Sequence, residues 1–155
     1  MAGTVVLGLG NLLLGDEGVG VHAARALLDA GLPGAEVLDV GTAILDALPE
    51  IGRAERLVVV DAVEAGGPPG SIYRLALDQV RPAATLGGLH GFDLARTLAL
   101  AGRGDPPPEV VVLGVEPLRL EWSLELSPVV ASALPFLLDA VRREVSPADT
   151  RRSRA

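Results

Sequence analysis

Four side chains in this sequence have types and positions that allow joint chemistry: Glu17, Asp61, His90 and Asp39. Glu17 lies in GLGNLLLGDEGVG (8–20), Asp61 closes VVVD (58–61), His90 sits in GGLHG (87–91), and Asp39 ends EVLD (36–39). Two carboxylates and one imidazole can bind a divalent metal and leave positions open for exchange or reaction. Oxygen and nitrogen donors without thiolate suit nickel or zinc. His90 is expected at a helix start, where the imidazolium is disfavoured and the neutral, ligating form prevails. Gly87, Gly88 and Gly91 allow close backbone approach there. Acids at helix starts also have a plain dipole role. That reading suits Asp16 as a cap of the following helix, and it leaves Glu17 and Asp61 as the functional pair. His22 reads as packing or surface.

What is missing narrows the chemistry. The 155 residues contain no cysteine and no lysine, and all 13 basic residues are arginine. Disulfides, thiolate metal sites, Schiff-base lysines and a P-loop lysine are therefore excluded. A net charge of −7 argues against general nucleic-acid binding. No apolar run reaches the roughly 20 residues of a membrane span. No charged leader followed by an apolar core is recognisable, so the expected compartment is the cytoplasm.

The glycine-rich segment invites a phosphate-loop reading, because Gly8 and Gly10 follow a strand and Asp39 ends the next one. The third glycine of a dinucleotide fingerprint would fall at Leu13, and Asp16 with Glu17 would repel a pyrophosphate. A cation is the better match.

The elements that must position these groups alternate. Residues 5–9 read as a buried strand, followed by a helix with Val19, Ala23, Ala26, Leu27 and Ala30 on one face, ended by Gly31 and Pro33. Residues 36–40 read as a second strand. A short helix follows, with Thr42 as its N-cap and Pro49 disturbing its end. Residues 57–60 form the third strand, ending at Asp61, and EAGGPPG (64–70) is a turn. Residues 71–77 suit a sheet edge, 92–101 a helix and 110–113 a last strand. Ser127-Pro128 starts a helix, Ser127 as N-cap, which sends Val129, Leu134, Leu137, Leu138, Val141 and Val145 to the core. The predicted fold is α/β: a three-layer α/β/α sandwich with a twisted, mostly parallel sheet of about five strands and helices on both faces. One domain over 1–146 and a disordered tail over 147–155 are expected. In such sheets sites lie beyond the carboxyl ends of the strands, which is where the four groups map.

GLGNLLLGDEGVG, LDVGT (38–42), VVVDAV (58–63), the loop histidine, GVEP (114–117) and LSP (126–128) together resemble the nickel–iron hydrogenase maturation endopeptidases, in the family's order and over nearly the whole chain. The resemblance implies an enzyme that removes a C-terminal extension from a hydrogenase large-subunit precursor. It acts after nickel insertion, with the nickel as recognition signal. Glu17, Asp61 and His90 match the family's metal-binding residues, and Asp39 matches the acid of its D-G-G-T block, which reads Asp39-Val40-Gly41-Thr42 here. Nickel would be presented by the precursor, with another divalent metal allowed in the isolated enzyme, and a monomer suits docking on a large partner. A non-cleaving nickel-binding checkpoint or chaperone would use the same ligands.

Overall fold

The computed structural model describes residues 3–80, 96–97, 99–100 and 107–146. One five-stranded sheet runs β2-β1-β3-β5-β4, formed by β1 (Thr4–Leu9), β2 (Ala35–Gly41), β3 (Arg56–Ala62), β4 (Ile72–Ala76) and β5 (Glu109–Val115). The pairings of β1 with β2, β1 with β3 and β3 with β5 are parallel, and β4 closes one edge antiparallel to β5. The central strands are apolar on both faces, as strands covered on both sides must be. Alternation then divides them. Val6, Val58, Val60, Val111 and Leu113 face one apolar cluster, while Val5, Leu7, Leu57, Val59 and Val112 face the other.

The first cluster is covered by α1 (Val19–Ala30) and α3 (Pro128–Val145), through Val19, Ala23 and Leu27 from α1 and Val130, Ala133, Leu137 and Val141 from α3. The second is covered by the 3-10 turn Ile44–Ala47 and the short α2 (Leu48–Arg53), through Ile44, Ala47 and Ile51. This is the three-layer sandwich the alternation predicts. Burial of Leu27 and Leu137 contributes about 2 kcal/mol each. Among the described residues no helix is long and apolar enough to cross a membrane.

The structure corrects several local expectations. Thr42 caps nothing: Ala43 flanks the 3-10 turn, Ala47 flanks α2, and neither makes a side-chain cap. Pro49 sits in the first turn of α2, where its missing N–H costs nothing, so it helps to start the helix rather than disturb its end. Val129 is exposed and Val130 takes the core position, because Pro128 sets the phase of α3. Asp61 lies inside β3, paired with Gly114 of β5, past the point where β1 stops pairing at Gly8 and Val60. Of the helix expected over 92–101, Arg96, Thr97, Ala99 and Leu100 are helical. The tail over 147–155 lies outside the described residues.

Candidate active site

The strand order places β1 between β2 and β3, so the connection after β1 runs to β2 on one side and the connection after β3 runs toward β4 and β5 on the other. The crevice at the carboxyl ends of β1 and β3 is the topological switch point, where α/β sheets bind ligands. The residues after β1 and at the end of β3 line it.

Glycines fix the geometry there. A Cβ on Gly20 would collide with the carbonyl oxygens of Leu9 and Val60, and one on Gly8 with the Gly20 carbonyl and the Ala24 methyl. These two glycines serve close crossing of α1 over β1 and β3, not anion binding. Gly10 has φ +130°, and its N–H donates to the Gly41 carbonyl at 3.1 Å. A Cβ on Gly10 would collide with the Glu17 carbonyl and lie 3.4 Å from Asp61 Oδ1. The Glu17 backbone and the Asp61 carboxylate thus both adjoin Gly10. Both residues are 5 % exposed. Asp61 Oδ1 accepts the Ala62 N–H at 2.8 Å, which orients the carboxylate at the end of its strand.

Glu17 rides on the 3-10 turn Gly15–Gly18 just before α1. Its neighbour Asp16 is fully buried and does not cap the helix as expected. Asp16 Oδ2 accepts the Leu118 N–H at 2.9 Å, the Arg119 N–H at 2.8 Å and the Ser127 hydroxyl at 2.7 Å, and Oδ1 accepts the Ser127 N–H at 2.7 Å. Burial raises its pKa, but the hydrogen bonds from Arg119, Ser127 and Leu118 outweigh burial and hold it below the usual 3.8. Ser127 accordingly makes no side-chain cap for α3; its hydroxyl serves Asp16.

Glu116, to which sequence reasoning assigned no role, is the second buried clamp of this rim. Its Oε1 accepts N–H groups of Ala65 at 3.1 Å and Gly66 at 2.7 Å and the Tyr73 hydroxyl at 3.2 Å, which ties the 64–70 turn to β5. A carboxylate directly after a fully apolar strand and before Pro117 was the available signal.

Asp39 sits opposite Gly8 and shares the strand face of Val37, toward α1, where its Oδ2 accepts a 2.9 Å hydrogen bond from Arg25 Nε. Asp61 has the parity of Leu57 and Val59 and faces the other layer. The two aspartates therefore leave the sheet on opposite sides. His90 lies outside the described residues. Among the described residues no three His, Asp or Glu side chains converge as a metal site. His22, half-buried on α1, has its pKa lowered from 6.5 by burial and by Arg25, against a hydrogen bond with the Leu124 backbone that favours the cation.

A family model described as hydrogenase maturation protease matches residues 21–144. This chain belongs to that family. The hydrogenase 2 maturation protease of Escherichia coli (strain K12) is 35% identical over 143 residues, covering 88% of this chain and 87% of the relative. The hydrogenase expression/formation protein HupD of Thiocapsa roseopersicina is 37% identical over 164 residues, covering 94% and 74%. The solved structure of the hydrogenase maturating endopeptidase HybD from E. coli is similar with a TM-score of 0.77 at 30% identity, covering 99% of this chain and 94% of that one. The protein is thus a protease of hydrogenase maturation, and the crevice beside Gly10 is its candidate active site.

Proposed function

We propose that this protease removes the C-terminal extension of a nickel-loaded [NiFe] hydrogenase large-subunit precursor. The supporting observation is that Glu17 and Asp61 are both buried and both adjoin Gly10 at the switch point, Glu17 through its backbone and Asp61 through its carboxylate. Nickel arrives as part of the substrate. Glu17 and Asp61 offer it hard oxygen donors, and His90 is proposed as the third donor. Their contact with the metal sets the precursor in one register against the rim. A scissile carbonyl held beside the ion is polarised for attack by water. Asp39 takes a supporting part, orienting substrate or assisting proton transfer, on condition that its pair with Arg25 opens. The same proposal covers a cytoplasmic monomer that docks on a large partner, with another divalent ion able to bind in the isolated enzyme.

The test is the shortening of a nickel-loaded precursor on a gel. Glu17→Gln and His90→Ala are each expected to slow it while melting temperature holds. Near wild-type processing by both variants would sink the proposal. Precursor without nickel is expected to stay uncut.

A further inference from the structure

Leu13, Trp122 and Leu124 are 50, 79 and 62 % exposed. Trp122 is the only tryptophan in the chain. Their backbones are joined. Ser123 N–H donates to the Leu13 carbonyl at 2.9 Å, Gly15 N–H donates to the Ser123 carbonyl at 2.9 Å, and Leu14 forms a parallel bridge with Ser123. Leu13, Trp122 and Leu124 are therefore exposed apolar side chains on two segments that lie side by side. That strip adjoins the turn that bears Glu17. Asp16 N–H donates to the Arg119 carbonyl, the Asp16 carboxylate grips Leu118 and Arg119 from below, and Glu17 N–H donates to the Leu14 carbonyl. The strip and the turn that bears Glu17 are thus fastened to each other as one unit.

We infer that Leu13, Trp122 and Leu124 form the docking face for the precursor body, an inference that rests on the proposed processing activity. Exposed aromatic side chains backed by a fixed segment make the anchor points of protein interfaces. Glu121 and Glu125 flank the strip, and the chain carries −7 overall. A second copy would bring like charges face to face, so the matching surface is an apolar spot rimmed by basic residues. The strip supplies affinity and register, while the carboxylates beneath it act on the metal and the peptide.

The test uses the full chain labelled with fluorotryptophan, which yields one fluorine resonance. Adding nickel-loaded precursor is expected to shift that resonance. Trp122→Glu is expected to raise KM for the precursor about tenfold or more with kcat held within about twofold. Leu28→Glu, also exposed but near the far end of α1, is expected to change neither. An unmoved resonance and an unchanged KM for Trp122→Glu, with wild type cutting normally, would overturn the docking face. A shift that appears when the chain alone is concentrated would also overturn it and assign the strip to self-association. A wild-type chain that leaves the precursor uncut defeats the processing proposal alone; the resonance still decides the face.

Discussion

The two ends of the sheet handle buried and part-buried carboxylates differently. At the end where β3 and β5 begin, Glu144 of α3 answers to guanidinium groups. It receives hydrogen bonds from Arg56 at 2.5 Å and from Arg74, and Glu109 lies 3.6 Å from Arg56. At the opposite rim Asp16 and Glu116 are held by backbone N–H groups and hydroxyls. Those donors are neutral. Arginine cancels charge and fastens a helix; backbone amides fix a carboxylate in place and leave its charge standing. A rim organised in the second way keeps a negative field beside Glu17 and Asp61, which suits a cation. The first way makes a clasp.

The largest expected effect tests function at the rim. Asp61→Asn should lower precursor processing by about a hundredfold or more, with little change in melting temperature; gel assays and calorimetry check both. Asp16→Ala comes next. It strands the N–H groups of Leu118, Arg119 and Ser127 and should cost about 3 kcal/mol, read by urea unfolding. Processing should fall as well, because the turn carrying Glu17 loses its tie. At the clasp, Arg56→Met should cost about 2 kcal/mol, and combining it with Glu144→Leu should recover most of that, since an apolar pair can replace a buried ion pair. Equal losses in the single and double variants would break the contrast. Arg25→Ala opens the exposed pair with Asp39 and should cost about 0.5 kcal/mol or less.

The smallest effect is in acid. The folded-state pKa of His22 is lowered, so its contribution to stability is present above the unfolded value of 6.5 and is lost as pH falls through the folded pKa. Asp16 and Glu144 also have lowered values. For both, burial acts upward and is outweighed, at Glu144 by the hydrogen bonds and charges of Arg74 and Arg56. Their contributions are lost only as pH falls below 3.8 and 4.5. His22→Gln should therefore remove the first decline in melting temperature below pH 6.5 and leave the second in place.

The core elements were legible because burial on both faces leaves unbroken apolar runs, as in 57–60 and 110–113, and a helix covering a sheet leaves a stripe such as Val19, Ala23 and Leu27. The place of Glu17 and Asp61 followed from the rule for strand ends. The partners of Asp16 did not, since a carboxylate bonded to N–H groups 102 to 111 positions away leaves no local pattern. The side from which Asp39 leaves the sheet depended on register with β1, which spacing alone does not give. Val129 and Val130 are equally apolar, and only the phase set by Pro128 distinguishes them. His90 lies outside the described residues, so its expected place at the rim is carried by the proposal alone.

The grip of Asp16 on Leu118, Arg119 and Ser127 also sets an order of assembly. Contacts of such long sequence separation close late, after the local helices and the first strands have formed. A chain still being synthesised holds Asp16 and Glu17 long before it holds Ser127. The turn bearing Glu17 gains its full set of ties only once Ser127, at the start of α3, is in place, so the candidate site closes after the strands around it.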